Sequence, residues 1–197
     1  LPEIPSLGLQ WRFWVGGDVH ARARVWLGGG TELRRTPVEA AAADTQTAIR
    51  TSAENLLFEA TFTWNGLVAR ADAIRRHGAE WDLIEVKSGK SPDEGDKLKA
   101  EDVDDLAYTR MVAGGAGLKI ARALLVLINR DYRLNGDAPM FAYADVTAEV
   151  NARAAEFEAI AGDVVLKVAA DARPEPEFIF VCKDCPYFAT DCLGVGV

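Results

Sequence analysis

The chain has 197 residues, of which 49% are hydrophobic and 26% are charged. This is ordinary globular usage, which excludes collagen-like and low-complexity classes, and at this length one domain over residues 1–197 is expected. The formal net charge of −8 argues against a general nucleic-acid coat protein, which would carry a broad basic surface. The longest strongly apolar run, 124–128, is too short to span a membrane.

The N-terminal sequence and the distribution of arginines each support a prediction. It begins with Leu1 and shows no basic, apolar and small-residue leader, which predicts a trimmed N-terminus and no secretory signal. Residues 12–35 contain five arginines and only two acids, Asp18 and Glu32. This segment could therefore form a basic surface for a phosphate backbone although the net charge of the chain is negative.

The first half of the chain predicts two helices and then three strands. Glycines end the first helix, and a capping box with proline at the first helical position opens the second. The three strands are separated by the turns Asn65-Gly66 and His77-Gly78, a spacing typical of an antiparallel meander. The predicted elements are helices at 18–27 and 36–50 and strands at 56–62, 67–74 and 81–87.

The second half predicts a helix, a strand buried on both faces, a further strand and another helix, after a polar loop. A meander joined to a crossover is a mixed α/β pattern, so we expect a central mixed sheet flanked by helices. The predicted elements are a loop at 88–100, helices at 101–113 and 147–161, and strands at 121–129, 141–146, 164–168 and 178–181.

Charged residues interrupt the second and third predicted strands. Side chains alternate along a strand, so Glu85 and Lys87 share a face with Trp81 and Leu83. A carboxylate in such an apolar strand is costly unless a metal or a cation compensates it. If the two strands pair through the turn, Asp72 lies beside Glu85, and the sequence predicts a charged site at one end of the sheet.

A third carboxylate precedes them on the first strand. Alternation places Glu59 on the face of Leu57 and opposite Phe58, Ala60 and Phe62. On the second strand it places Asp72 with Val68, Arg70 and Ile74. Carboxylates held together repel one another, and a divalent cation such as Mg²⁺ removes that repulsion and activates water for phosphodiester attack.

These residues carry a resemblance to a known superfamily. Glu59, then Asp72, then Glu85-Val86-Lys87 with twelve residues between the last two acids, resembles the PD-(D/E)xK nucleases, closest to the RecB-like branch that includes CRISPR adaptation nucleases and an uncharacterised bacterial domain family. The resemblance implies a restriction-endonuclease-like core. It also implies that Glu59, Asp72, Glu85 and the Val86 carbonyl bind Mg²⁺ or Mn²⁺. Lys87 would then position water or stabilise the transition state, with Asp72, Glu85 and Lys87 catalytic.

The resemblance extends to candidate nucleic-acid contacts. Asp104 to Tyr108 is similar to the Q-x-x-x-Y element of the branch, with aspartate at the glutamine position. Gly17-x-x-His20 resembles its early G-x-x-H motif. The implied contacts with DNA are Arg70, Tyr108 and His20, and a surface role for each remains open.

The three cysteines lie in the last 16 residues, which fits a reducing, cytoplasmic location better than a disulfide framework. Cys182, Cys185 and Cys192 resemble the C-terminal cysteines of iron–sulfur RecB-like nucleases, which implies a metal-binding tail over 182–192. A 4Fe–4S cluster or a zinc site needs a fourth ligand that this chain does not supply as cysteine, and buried inert thiols are the alternative.

We therefore expect a divalent-metal-dependent deoxyribonuclease that acts on DNA, including single strands or free ends, with no membrane partner. Two alternatives stay open. One is a nuclease fold kept for binding nucleic acid or a protein partner with little turnover. The other is an iron–sulfur or zinc structural metalloprotein built on the cysteine tail.

Overall fold

The structure is a computed structural model that describes residues 6–51, 54–93, 97–172, 175 and 178–194. The chain divides into two compact units, Leu1–Gly162 and Asp163–Val197. The first unit carries the sheet and the predicted active-site residues, and the second carries the cysteines. A single domain over 1–197 stays a prediction. In the described part of the chain, no helix combines the length and the apolarity that a membrane crossing requires.

The chain begins with helices and strands and continues with a run of three consecutive strands. In chain order they are α1 (Leu7–Trp26), β1 (Thr31–Glu32), α2 (Val38–Thr51), β2 (Leu56–Trp64), β3 (Leu67–His77), β4 (Glu80–Lys90), α3 (Ala100–Gly115), β5 (Ile120–Ile128), β6 (Phe141–Asp145) and α4 (Thr147–Ala169). A 3₁₀ helix (Phe180–Asp184) and a π-helical turn (Phe188–Cys192) follow.

The strands form one six-stranded sheet whose spatial order, within the described residues, is their chain order. β2, β3 and β4 pair antiparallel as the predicted meander. α3 then returns the chain so that β5 lies parallel to β4, and β6 pairs antiparallel with β5. This confirms the predicted α/β class, a mixed sheet flanked by helices with a restriction-endonuclease-like core.

Alternate side chains of the sheet enter two apolar layers. Leu83 packs in one layer with Leu106 of α3 and Val150 of α4. Ile84 packs in the other layer with Val19 and Ala23 of α1. Because β4 is buried on both faces, a charged side chain on it is partly withdrawn from solvent whichever layer it enters.

The alternation breaks at Glu59, which corrects the predicted faces of β2. Glu59 has a φ of 60°, a left-handed conformation that few side chains adopt. Leu57, Ala60 and Phe62 consequently share one layer, whereas Phe58 enters the other. The expectation that Ala60 and Phe62 oppose Leu57 is therefore wrong.

The same break occurs on β3, directly beside that position. Ala71 and Ile74 belong to one layer although they are three residues apart, and Ala73 belongs to the other. A uniform period of two from Val68 to Ile74 is therefore wrong, because the strand changes face around Asp72.

Several element boundaries also differ from the predictions. α1 begins at Leu7 instead of 18, and its first turn is capped by Ser6, whose Oγ accepts a hydrogen bond from the Leu9 N–H at 3.3 Å. α4 continues to Ala169, so the predicted strand 164–168 is helical, because a single interior glycine costs only about 1 kcal/mol and does not end a helix.

The predicted strand at 178–181 is also wrong, since the 3₁₀ helix begins at Phe180. β4 reaches Lys90, so the predicted loop at 88–100 starts later, and residues 94–96 of that loop lie outside the described residues.

Candidate active site

Asp72 and Glu85 lie where β3 and β4 separate. The ladder between the two strands ends at the pair Ala73 and Ile84. One residue further, the Asp72 carboxylate accepts a hydrogen bond from the Val86 N–H at 2.8 Å. The Val86 N–H therefore bonds to the Asp72 side chain instead of to a backbone carbonyl of β3. The Asp72 carboxylate lies between the two strands at this point, beside Glu85.

Lys87 lies next to Glu85 and contacts two carboxylates. Its Nζ is 3.1 Å from Glu85 Oε1 and 2.5 Å from Asp105 Oδ2 on α3. The structure places Asp72, Glu85 and Lys87 close together, which is the arrangement that the sequence predicts. Asp105 was not singled out in the sequence, because one acid in the first turns of a helix is usually a solvated residue that suits the dipole.

Burial and neighbouring charges shift the pKa values of both Glu85 and Lys87. Burial, and then the neighbouring Asp72 carboxylate, raise the pKa of Glu85 to about 8. Burial opposes the charged form of Lys87, but Glu85 and Asp105 outweigh it and raise the pKa of Lys87 above its usual value. The site therefore holds a permanent cation beside a carboxyl group that is largely protonated at neutral pH.

Comparison with known families gives the identity of this arrangement. A model of the PD-(D/E)XK nuclease superfamily matches residues 10–190. The chain belongs to the PD-(D/E)XK nuclease superfamily. Members of this superfamily are typically nucleases, act on nucleic acids and generally use divalent metals.

Comparison with individual proteins adds little. Among solved structures, the crystal structure of SSO0001 resembles this chain with a TM-score of 0.36 and 18% identity over 88% of this chain. The chain covers 66% of the length of that protein. No curated protein matches the chain.

His20 comes to the same PD-(D/E)XK site from α1. Its Nδ1 lies 3.6 Å from Asp72 Oδ1, and its side chain is 37% exposed. The early motif of the predicted resemblance therefore lies beside the first carboxylate and remains open to solvent. Its contact with DNA stays a prediction.

Glu59 does not join this site, which corrects its predicted place among the metal ligands. Its carboxylate pairs with Arg24 of α1 and, at 2.9 Å, with Arg35 Nη2. The left-handed backbone at Glu59 breaks the alternation of β2, and its carboxylate meets these arginines instead of Asp72 and Glu85. Glu59 is thus compensated by cations of the chain itself.

The other candidate nucleic-acid contacts bond to backbone and side-chain oxygens. Arg70 donates from Nη2 to the Arg35 carbonyl at 2.7 Å and from Nε to Thr61 Oγ1 at 3.2 Å. The Tyr108 hydroxyl donates to the Val68 carbonyl at 3.1 Å, which ties α3 to β3. The structure does not bring these two residues to the carboxylates, and their contact with nucleic acid stays a prediction.

The aspartate at the glutamine position of the predicted Q-x-x-x-Y element is also engaged. Asp104 binds Arg153 of α4 through both oxygens, at 2.6 and 3.2 Å. An aspartate held in this way ties α3 to α4.

The donor chemistry of the site fits one hard divalent cation. No group of three or more His, Cys, Asp or Glu side chains placed for a metal occurs in the ranges that the structure covers. Mg²⁺, however, is commonly held by one or two carboxylates, with water and substrate phosphate completing the shell. Asp72 and Glu85 supply two such carboxyl groups, and a cation would take the place of the proton that burial and Asp72 favour on Glu85.

The second unit carries the three cysteines, of which Cys185 is exposed and Cys182 and Cys192 are partly buried. Cys182 Sγ accepts a hydrogen bond from the Ile179 N–H at 3.3 Å. Cys182, Cys185 and Cys192 do not form a metal-holding group in the described part of the chain, so a cluster on this tail is not supported by their placement.

Proposed function

We propose that this protein is a divalent-metal-dependent nuclease that hydrolyses phosphodiester bonds of DNA. The observation that carries the proposal is the placement of Glu85 between Asp72 and Lys87, where β3 and β4 separate. Burying one acid next to another destabilises a fold unless the arrangement serves a ligand. Membership of a nuclease superfamily gives that ligand a chemical class, a metal ion with a phosphodiester.

The residues of the chain have distinct roles in this proposal. Asp72, Glu85 and the Val86 carbonyl would hold Mg²⁺ or Mn²⁺, which would supply positive charge to the phosphoryl group and make the attacking water more acidic. Lys87 donates hydrogen bonds to a developing oxyanion, because its raised pKa keeps it charged and unsuited to act as a base. Water oxygen joins phosphorus, one phosphorus–oxygen bond breaks, and the products are a phosphate monoester and a hydroxyl.

The finer assignments belong to the same proposal. The RecB-like branch is supported by His20, which approaches Asp72 from α1. We propose single-stranded DNA or DNA with free ends as the substrate, and a reducing, cytoplasmic location because the odd number of cysteines, all within the last 16 residues, does not suit a disulfide framework. An iron–sulfur or zinc tail on Cys182, Cys185 and Cys192 remains the weakest part, because the thiols do not gather.

A second candidate is a binding module that keeps the nuclease fold with little turnover. It is favoured by the Asp104–Arg153 ion pair, which replaces a nucleic-acid contact of the RecB-like branch by a structural bond. The net charge of −8 points the same way. Both candidates bind nucleic acid, and only the first cuts it.

The test is cleavage of labelled single-stranded, linear duplex and circular DNA with Mg²⁺, with Mn²⁺ and with EDTA. We expect metal-dependent cutting that falls roughly 10²–10³-fold in Lys87→Ala, the usual effect of losing one electrostatic donor. Lys119→Ala is the matched control, because it removes the same charge just before β5, at the opposite end of the sheet. Binding without cutting favours the second candidate, and equal cutting by both variants contradicts the proposed role of Lys87.

A further inference from the structure

The first half of α1 projects beyond the sheet that its second half covers. Ala23 is buried in the apolar layer beside β4, whereas every residue from 7 to 14 is exposed. This exposed part of the helix carries three large aromatic side chains, Trp11, Phe13 and Trp14. Large apolar side chains that are exposed next to one another mark a binding surface more often than singly exposed ones do.

Phe13 shares a face of α1 with the histidine of the candidate active site. An α-helix has about 3.6 residues per turn, so residues three, four, seven or eleven positions apart point in similar directions. One stripe of the helix, which we call the α1 stripe, therefore contains Phe13, Gly17, His20 and Arg24. His20 Nδ1 lies 3.6 Å from Asp72 Oδ1. The α1 stripe thus leads from the catalytic carboxylates to Phe13.

The α1 stripe is increasingly exposed along this path. The side chains of Arg24 and His20 are 24% and 37% exposed, and Phe13 is 64% exposed. Gly17 lies between His20 and Phe13 and is exposed as well. A Cβ atom at Gly17 would meet no described atom within 4 Å. A ligand that starts at the active site therefore has open space against the helix backbone until it reaches the Phe13 ring.

The position and chemistry of Phe13 suit one part of a nucleic-acid strand. It precedes His20 by seven residues, which is about 10.5 Å along the axis at roughly 1.5 Å per residue. Stacked nucleotides rise about 3.4 Å each, so two or three nucleotides span this distance. A phenyl ring offers no charge or hydrogen bond to a phosphate, but it stacks on a nucleobase, because every base has a π-face.

Trp11 differs from Phe13 in direction and not in exposure. It is 63% exposed, and two residues along a helix correspond to about 200° of rotation, so Trp11 points away from the α1 stripe. Trp11 also stacks on Trp14, with ring centroids 5.0 Å apart. An aromatic side chain of equal exposure on the opposite side of the same helix is thus a matched control for Phe13.

We propose that Phe13 stacks on an unpaired base of the strand that occupies the active site, two or three nucleotides from the bond that is cut. The proposal rests on the proposed function for the identity of this strand, and it deepens that function by naming its substrate class. A base held in a duplex is stacked and paired already, so the substrate is single-stranded DNA or a single-stranded end. Stacking of this kind tolerates any base sequence.

The experiment measures binding separately from cleavage. The full chain is titrated in EDTA against a fluorescently labelled single-stranded oligonucleotide and against a blunt hairpin duplex of the same composition, and anisotropy gives the dissociation constants. Phe13→Leu keeps an apolar side chain and removes the π-face, whereas Phe13→Trp keeps a π-face. Trp11→Leu is the control on the opposite side of α1. Thermal unfolding checks that all variants are folded.

We expect Phe13→Leu to raise the dissociation constant for the single strand roughly tenfold, which is the size of one lost base stack. Phe13→Trp and Trp11→Leu should each stay within about twofold of the wild type, because one keeps the stack and the other lies off the α1 stripe. Affinity for the hairpin should change by less than about twofold in every variant, since its bases are paired.

Three results would overturn the proposal. The first is an unchanged affinity of Phe13→Leu for the single strand. The second is an equal loss in Phe13→Leu and Trp11→Leu, or an equal loss for the single strand and the hairpin. The third is a wild-type dimer in sedimentation that Phe13→Leu converts to a monomer with the same oligonucleotide affinity, because Phe13 would then belong to an interface between copies of the chain.

The outcome is distinguishable from that of the proposed function. A wild-type protein that does not cut DNA, but binds the single strand less tightly in Phe13→Leu, contradicts the nuclease activity and supports base stacking. A protein that cuts DNA, and whose affinity for the single strand is the same in wild type and Phe13→Leu, does the reverse.

Discussion

Glu59 and Glu85 are both buried acids of one sheet, and their surroundings are opposite. The side chain of Glu59 is 8% exposed and pairs with Arg24 and Arg35. The side chain of Glu85 is 15% exposed, lies beside the acid Asp72 and shares its one cation with Asp105. The first carboxylate is compensated by two arginines, whereas burial and the neighbouring Asp72 oppose ionisation of the second.

Asp82 shows that compensation is the ordinary solution in this protein. It is 1% exposed on β4, three residues before Glu85, and binds Arg122 through both oxygens at 2.9 and 2.5 Å. Arginine suits this task because its planar fork matches a carboxylate. Glu85 has no such arginine partner and shares Lys87 with Asp105. This difference separates the carboxyl group of the proposed ligand site from carboxylates whose ion pairs are structural.

The comparison predicts different stability effects for the same substitution. Glu59→Gln should lower the free energy of unfolding by about 2–3 kcal/mol, because it leaves two arginines without their buried counter-charge, one of them partly exposed. Glu85→Gln should instead raise the free energy of unfolding at pH 7, by up to about 3 kcal/mol, because glutamine resembles the neutral acid in the fold and, unlike Glu85, does not ionise in the unfolded chain.

Urea unfolding at pH 7 without metal measures both values. Glu59→Gln should retain metal-dependent cleavage when it is assayed well below its melting temperature. A larger stability loss for Glu85→Gln than for Glu59→Gln would show that Glu85 is the structural ion pair and would remove the basis of the comparison.

The same contrast predicts a pH dependence of stability. The pKa of Glu85 is raised to about 8 in the fold and is lower in the unfolded chain. Between these values the folded state binds more protons, so stability falls as pH rises from about 4.5 to 8, by at most about 1.4 kcal/mol per pH unit from this group.

Glu85→Gln should remove this slope, and Mg²⁺ should reduce it, because the ion replaces the proton. Urea unfolding at pH 5.5, 6.5 and 7.5, with and without Mg²⁺, checks the prediction. Glu59→Gln is the control and should keep the slope. An identical slope in wild type and Glu85→Gln would show that Glu85 is not the group that titrates.

Lys87 is shared between two carboxylates, and removing one of them tests how it is positioned. Asp105→Asn should lower the rate of metal-dependent cleavage roughly tenfold, because supporting partners of active-site groups typically contribute 10–100-fold. Stability should change little, since the Asp105 side chain is 64% exposed. The measurement is kcat and KM on labelled DNA.

The expected change is in kcat with an unaltered KM, and Asp105→Glu should restore part of the activity. A change in KM alone would mean that Asp105 acts on substrate binding. Glu101→Gln, one turn earlier on α3, is the matched control for the lost charge.

The sequence was sufficient for those parts of the site that are local. Asp72 and Glu85 are separated by one tight turn, so pairing of the two predicted strands had to bring them together. The arginine partners of the buried acids Glu59 and Asp82 were not predictable in the same way. Arg122 meets Asp82 through the parallel register of β4 and β5, which the chain reaches only after a crossover helix.

The faces of β2 and β3 show a second limit. Strand alternation assumes a regular pleat, and the left-handed Glu59 and the change of face at Asp72 break it at two adjacent positions. A positive φ at a glutamate is not predictable from the residue type, because glycine and asparagine are the usual residues in that conformation. The predicted placement of Glu85 beside Asp72 therefore agrees with the structure, whereas the predicted placement of the Glu59 carboxylate does not.

The smallest expected effect is the difference in stability loss between substitutions of the two arginines that bind Glu59. Arg35 is 53% exposed, whereas Arg24 is 24% exposed and also binds Glu32 at 2.8 Å. Arg35→Ala should therefore lower the free energy of unfolding by no more than about 1 kcal/mol, since exposed ion pairs contribute little. Arg24→Ala should cost clearly more, because it removes the better buried cation, and urea unfolding of both variants measures the difference. If the two substitutions cost the same, the compensation of Glu59 is shared equally, and burial of the cation does not decide which ion pair stabilises the fold.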